Sequence, residues 1–265
     1  MKWLRKYTTT FSLALSARLV YRLPFVLALI QDLIIFGSLL FFFQAFPKNA
    51  VSLPTLLTTI ILNALLAPLI IHAQVMHTIA DEISDGGLVN YLLRPIRYFG
   101  FWFSRSLALR SINAVIGLFI IGILVVGFPY IELLPPANTT SLLLFILLLV
   151  GGLLIAVLLD MGVGTVAFWT HRSFGPRWLM YVGMYFLSGI YTPFMLFPES
   201  ARAILTHTPF AYILYTPIQA YLGNYSTWPE ILSILLTQWF WVALIFTTLS
   251  LSWRAGVRSY EAYGR

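Results

Sequence analysis

Charged residues and cysteines are what this sequence has least of. Only 9% of its 265 residues are charged, against about a quarter in a soluble domain, and the mean hydropathy is +0.87. Such a composition predicts a protein that crosses the membrane several times. The chain has no cysteine, which excludes disulfides, thiol chemistry and metal sites with cysteine ligands.

Several motifs of enzymes are also missing from the sequence. There is no G-x-x-x-x-G-K-[ST] phosphate-binding loop, so the chain cannot bind and split ATP by that mechanism. There is no G-x-S-x-G nucleophile motif either. His72 and His77 are five residues apart, not the three or four that place two ligands on one helix face. We therefore expect no metal site.

The first 22 residues mix basic side chains with aromatic and aliphatic ones. The basic residues are Lys2, Arg5, Lys6, Arg18 and Arg22, and the apolar ones include Trp3, Tyr7, Phe11, Leu15 and Leu19. This pattern predicts an amphipathic helix in the membrane interface over residues 1–22, with a solvated tail as the alternative. The charges are spread along the whole segment, so we expect no signal peptide.

Six apolar runs follow, each long enough for a helix that crosses a bilayer core, which takes about 20 residues. The runs are residues 24–46, 53–76, 102–128, 141–169, 177–197 and 231–253. We therefore predict an all-α membrane protein with six transmembrane helices in a single domain of residues 1–265.

The basic residues fall almost entirely on one side of this six-span arrangement. Of the sixteen lysines and arginines, only Lys48 and Arg202 are assigned to the other side. Cytoplasmic loops carry an excess of lysine and arginine. We therefore predict that both termini, residues 77–101 and residues 171–176 are cytoplasmic.

The segment between the fifth and sixth runs, residues 188–223, is apolar but contains four prolines. Pro193, Pro198, Pro209 and Pro217 prevent it from forming one straight helix. Broken helices at membrane depth occur only where protein or a cavity satisfies the backbone. We predict a re-entrant outer segment made of short helices.

The most distinctive stretch is a charged, amphipathic segment between the second and third runs, residues 77–101. Three acidic residues precede the Gly86-Gly87 pair, and Leu88 and Leu92 follow it one helical turn apart. The pattern predicts two short helices with a glycine hinge. Such a segment can seat in the groove of a partner protein, and the alternative is a loop whose charges are merely solvated.

Two parts of the chain resemble a known family. Residues 83–96, I-S-D-G-G-L-V-N-Y-L-L-R-P-I, resemble the G-x-L-D-x-x-L-L-R-P signature of ABC-2 type (type V exporter-like) permeases. Residues 188–198, S-G-I-Y-T-P-F-M-L-F-P, and the tail W-R-A-G-V-R resemble the C-terminal half of the same family. Val89 stands where the family usually has an acidic residue, so a role for that carboxylate is not carried over.

The resemblance implies a membrane permease subunit of an ATP-driven ABC exporter. Two permeases, identical or related, then form the pathway, and separate cytoplasmic ABC ATPase subunits bind ATP and Mg. The chain itself is expected to hold no cofactor and to bind no nucleic acid. Its expected location is the bacterial plasma (inner) membrane, and its apolar, aromatic composition favours an amphiphilic, lipid-like or drug-like substrate.

Residues 77–101 correspond to the cytoplasmic coupling segment of that family. The residues that the resemblance places at the ATPase contact are Asp81, Glu82, Ile83, Asp85, Gly86, Leu88, Tyr91, Leu92 and Arg94.

Two acidic residues lie inside the predicted spans, Asp32 in the first and Asp160 in the fourth. Ionisable residues in the membrane are costly and are functional candidates by default. Each is a candidate polar residue of the pathway, with a structural hydrogen bond to a neighbouring helix as the alternative. Under the pathway interpretation, Asp160→Asn lowers transport and leaves expression intact.

Two other classes of function stay open on the sequence. A channel or membrane scaffold that needs no ATPase would purify alone. An integral membrane enzyme would need Asp32, Asp160 and the histidines to converge on one cleft, which their spacing does not indicate.

Overall fold

The computed structural model describes residues 2–20, 22–44, 52–71, 75–93, 97–127, 133–170 and 174–260. Within these residues the regular structure is entirely helical, which confirms the all-α prediction. The α-helices are α1 (Lys2–Val20), α2 (Arg22–Gln44), α3 (Leu53–Ile70), α4 (Val75–Ser84), α5 (Val89–Leu92), α6 (Tyr98–Gly127), α7 (Thr139–Gly164), α8 (Phe174–Leu187), α9 (Glu199–Leu205), α10 (Tyr215–Tyr221) and α11 (Trp228–Arg258). Two 3-10 turns cover Thr165–Phe168 and Phe194–Leu196.

Four helical stretches in the described residues are long and apolar enough to cross a membrane. They are Leu53–Ser84, Tyr98–Ile123, Thr139–Phe168 and Trp228–Arg258, and they coincide with the second, third, fourth and sixth predicted spans. The first predicted span is covered by α2, a helix of 23 residues that is outside this set of four. The chain is thus a multi-pass membrane protein, and the full six-span arrangement stays a prediction.

The fifth predicted span differs from the structure. The prediction ran to residue 197, whereas α8 ends at Leu187 after 14 residues. Gly189 then adopts a φ of 82°, a left-handed conformation that ends the helix and turns the chain. At 1.5 Å per residue α8 is about 21 Å long, which is less than the thickness of a bilayer core.

Residues 188–223 form short helices, as predicted, and α10 packs against α7, whereas the re-entrant position of the segment stays a prediction. The carbonyl groups of Tyr212 and Ile213 approach α7 at Gly152, where the missing side chain makes the space. The side-chain amide of Gln238 on α11 donates hydrogen bonds to the carbonyls of Leu148 (2.7 Å) and Tyr212 (3.2 Å). The buried Gln238 side chain thus connects residues 188–223 to both α7 and α11.

The first helix lies along the N-terminal half of α6. The Ser104 hydroxyl donates a hydrogen bond to the carbonyl of Tyr7 at 2.6 Å, and Gly100 allows the ring of Tyr7 to approach the backbone of α6. Residues 2–20 are helical as predicted, and their position in the membrane interface stays a prediction. Helix α6 also packs on α3, so it contacts both α1 and α3.

We predict that Gly152→Ala destabilises the protein. A Cβ atom at this position would lie 2.5 Å from the carbonyl oxygen of Ile213 and 2.7 Å from that of Tyr212. Overpacking of this kind costs about 1–3 kcal/mol, which is measured as a lower Tm in detergent. The matched control is Gly162→Ala in the same helix, where nothing lies within 4 Å of the added atom. Equal Tm values for the two variants would contradict the prediction.

Candidate functional site

The segment after the second span has the two short helices and the glycine break that the sequence predicts. Helix α4 ends at Ser84, Gly86 adopts a φ of 78°, and α5 covers Val89–Leu92. The amide of Leu88 donates to the carbonyl of Glu82 at 3.0 Å, which closes the turn around the glycines. The chain therefore reverses within a few residues and brings α5 back beside the end of α4.

The structure corrects one part of the predicted contact set. Ile83 and Leu88 were expected to face a partner protein, but they are 4% and 0% exposed and lie in an apolar cluster with Ile79 and Trp102. Their side chains point inward because one face of α4 packs on α6 and α7. They hold the segment in place and do not form its outer surface.

The other predicted contact residues lie on or near the surface of the segment. Asp81 and Asp85 are exposed, Glu82, Gly86 and Tyr91 are half-buried, and the Leu92 side chain is 48% exposed. Arg94 lies outside the described residues. Leu93, which the predicted set did not include, is 81% exposed. The outer surface of this segment therefore combines acidic residues with two adjacent leucines.

Glu82 is the polar centre on the inner side of the segment. One of its carboxylate oxygens accepts a hydrogen bond from the Tyr91 hydroxyl at 2.8 Å, and the other accepts from the Tyr98 hydroxyl at 3.2 Å. Tyr91 belongs to α5 and Tyr98 begins α6. One carboxylate thus connects three helices.

An aromatic cluster continues from Tyr98 to the last helix. The Tyr98 ring stacks on the indole of Trp253 with centroids 4.4 Å apart, and the Phe99 ring lies 5.0 Å from the same indole. Phe168, in the 3-10 turn after α7, contacts Trp253 edge-on at 5.6 Å. The segment, α6, α7 and α11 therefore meet in one packed group of rings.

A salt bridge joins the segment to α8. The guanidinium of Arg177 lies 3.0 Å from the Asp81 carboxylate and also donates to the carbonyl of His77 at 3.3 Å. Asp81 is largely exposed, so the contribution of this pair to stability is small, in the range of about 0–1 kcal/mol. Its position matters more, because it connects residues 77–101 to the start of the fifth predicted span.

Asp160 holds the start of α4. Its two carboxylate oxygens accept hydrogen bonds from the amides of Val75 (3.0 Å) and Met76 (3.2 Å). The first amides of a helix have no partner within the helix, and a carboxylate also interacts favourably with the helix dipole there. Asp160 is 3% exposed, so these hydrogen bonds form in the interior.

A buried arginine pairs with this carboxylate. Arg110 of α6 is 1% exposed, and its guanidinium nitrogen lies 3.6 Å from an oxygen of Asp160. Its Nε donates to the Ser106 hydroxyl at 3.1 Å. The observed contacts of Asp160 are therefore those of a structural cap and ion pair that joins α4, α6 and α7. Its role as a polar residue of the pathway stays a prediction.

Asp32, the other predicted pathway residue, lies in the middle of α2. Its side chain is outside the described part of the structure, so its role also stays a prediction.

Sequence reasoning missed the residues that connect the segment to the helices. Arg110 was counted with the cytoplasmic cations, although an arginine eight residues inside a long apolar run is itself a signal of a buried pair. Nothing in the sequence pairs Trp253 with Tyr98. Leu93 follows Leu92 directly and could have been included with it.

Fold and site together define a multi-pass helical membrane protein built around a broken amphipathic segment. Residues 50–264 match the model of a family described as ABC-2 family transporter protein, and since this match covers most of the chain, the protein belongs to that family. A comparison with curated proteins and one with solved structures gave no match. Membership makes the chain a permease subunit of an ABC transporter, whose ATPase activity lies in a separate partner.

We predict that Asp160→Asn lowers the yield and Tm of folded protein. The substitution leaves the buried guanidinium of Arg110 without its counter-charge, and removal of one partner of a buried pair costs about 3–5 kcal/mol. Size-exclusion profiles and thermal unfolding in detergent measure the loss. The double variant Asp160→Asn/Arg110→Gln should recover part of it, because the unpaired charge is gone.

The matched control is Asp85→Asn, the same substitution at an exposed carboxylate, which should leave Tm unchanged. Asp160→Asn protein that folds normally but has lost transport would contradict the structural role and support the pathway interpretation.

Proposed function

We propose that this permease belongs to an ATP-driven exporter and that residues 77–101 are the element on which its ATPase acts. Family membership supports a separate ATPase. The arrangement of the segment supports its use as the contact, because Ile83 and Leu88 anchor its inner side while Leu92 and Leu93 are exposed on its outer side. An anchored segment with exposed leucines can receive a force and pass it to the membrane helices.

The outer surface suggests how the ATPase would bind. Two exposed leucines on a short helix fit a shallow apolar groove. Asp81 and Asp85, also exposed, would set the orientation by pairing with basic residues around that groove. Glu82 is already bound to two tyrosines, so its carboxylate belongs to the inner side of the segment.

The proposed transport unit contains two permeases, of this chain or of this chain and a related one, with two cytoplasmic ATPase subunits that bind ATP and Mg. The membrane is the bacterial plasma membrane, with both termini of the chain in the cytoplasm. We propose an amphiphilic, lipid-like or drug-like substrate, because the described helices that cross the membrane present mainly apolar and aromatic side chains. Asp32 remains a candidate for a polar contact in the pathway.

We predict that Leu93→Asp abolishes co-purification of an ATPase in mild detergent. The side chain is 81% exposed, so a carboxylate there leaves the fold intact but would be buried without a partner in an apolar groove. The measurement is mass identification of the proteins that purify with the tagged chain from its native host. Leu88→Asp is unsuitable for this test because Leu88 is buried and its substitution would unfold the segment.

The matched control is Ile204→Asp, on α9 in the predicted outer segment, where the side chain is 72% exposed. It should retain the ATPase. An ATPase that stays bound to the Leu93→Asp variant would exclude this contact. Wild-type protein that purifies without any ATPase would instead favour the channel or scaffold function.

A labelling experiment tests the proposed orientation. Because the chain has no cysteine, each introduced cysteine is unique. We predict that Ser259→Cys, on the cytoplasmic side in the proposed orientation, reacts with a membrane-impermeant maleimide only after the cells are permeabilised, whereas Ser226→Cys reacts in intact cells. Both positions are exposed in the structure. The reverse labelling pattern would show that the chain has the opposite orientation in the membrane.

A further inference from the structure

The two ends of α4 are fixed to the rest of the protein by different means. At its start, the backbone amides of Val75 and Met76 donate to Asp160 of α7. Near its end, Glu82 accepts hydrogen bonds from Tyr91 and Tyr98. The second attachment is nearer to the exposed leucines of α5, and it therefore receives first any force that is applied to them.

From Glu82 one series of contacts leads to α11, while the two tyrosines also contact Phe101 and Trp102 of α6. The hydroxyl of Tyr98 is bonded to the carboxylate while its ring stacks on Trp253, with centroids 4.4 Å apart and planes inclined by 19°. The Tyr91 ring meets the Tyr98 ring edge-on at 5.4 Å. Aromatic rings have only two side-chain torsions, so a packed stack moves as a unit more readily than a set of aliphatic chains. The contacts thus run from α4 and α5 through the start of α6 to α11.

We propose that Glu82, Tyr91, Tyr98 and Trp253 form a relay that transmits movement of residues 77–101 to the end of α11 that carries Trp253. The inference rests on the proposed function, because it needs an ATPase that moves the segment. In this arrangement Glu82 and the two tyrosines are positioning residues. They touch neither nucleotide nor substrate, and they determine whether α11 follows the segment.

The geometry explains why the relay can be removed without unfolding the segment. If both tyrosine hydroxyls are lost, the rings remain in the aromatic cluster, and α4 keeps its cap at Asp160 and its buried residues Ile79 and Ile83. Only the hydrogen bonds that tie the carboxylate to the rings disappear. Movement of α4 is then no longer passed to residue 98 through the carboxylate, and we expect the remaining edge-on ring contact with residue 91 to be too weak to move α11.

The test uses the complex of the permease with its ATPase. A cysteine is introduced at Ala255, an exposed position on α11 two residues after Trp253, in the cysteine-free chain. The rate of maleimide labelling is measured without nucleotide and after trapping with ATP and vanadate. A second reporter, Leu93→Cys, records whether the ATPase covers the segment.

Each reporter is read in three backgrounds: wild type, the double variant Tyr91→Phe/Tyr98→Phe, and the control Tyr260→Phe. Tyr260 is a matched control because it lies in the same aromatic cluster, and among the described residues its hydroxyl has no hydrogen-bond partner. Tyrosine hydroxyls are therefore removed from one cluster in both cases, two in the double variant and one in the control, but only in the double variant does Glu82 lose its two tyrosine donors.

In wild type and in Tyr260→Phe we expect trapping to change the labelling rate at Ala255→Cys by about fivefold, which corresponds to a coupling of about 1 kcal/mol. In the double variant this change should disappear while Leu93→Cys stays protected by the ATPase. If the nucleotide-dependent change at Ala255→Cys is lost while the ATPase still protects Leu93→Cys, the relay is established.

Two results would overturn the relay. One is a nucleotide response at Ala255→Cys that persists in the double variant, and the other is a wild-type protein that shows no response there although Leu93→Cys is protected. A protein that recruits no ATPase gives a different result, with neither reporter protected or changed. That result would overturn the proposed function itself, and the relay with it.

Discussion

The hydrogen bonds between Asp160 and the first amides of α4 are the interaction on which the rest of the structure depends. They let α4 begin in the protein interior, where its free amides would otherwise cost several kcal/mol in an apolar surrounding. With the start of α4 fixed in this way, the chain runs to Ser84 and turns back at Gly86. The position of residues 77–101 thus depends on a carboxylate of α7.

The Asp160 carboxylate also pairs with a second buried charge, the guanidinium of Arg110. Arg110 enters the interior from α6, and its pairing with Asp160 ties α6 to α7 at the level where α4 starts. A buried pair of this kind adds little net stability, because both charges have lost their water. Its value is that it fixes how α4, α6 and α7 are arranged, since no other described acidic side chain pairs with Arg110.

Much of the fold could be predicted from the sequence, because it follows from local patterns. The apolar runs predicted four of the candidate membrane helices, and the Gly86-Gly87 pair predicted the break between α4 and α5. The prolines predicted the short helices of residues 188–223. The inner contacts could not be predicted. Asp160 reaches Val75 across 85 positions of the chain, and no residue pattern near Glu82 shows that its charge faces Tyr98 and not water.

The short length of α8 has a consequence for the lipid around the protein. A helix of 14 residues with Trp178 and Phe186 exposed on its surface presents an apolar band thinner than the acyl-chain layer it meets. Lipids adapt to such a mismatch by thinning at a modest cost per ångström. Under the six-span prediction, the bilayer should therefore thin beside α8, and headgroups and water should come closer to the protein there than around the longer helices.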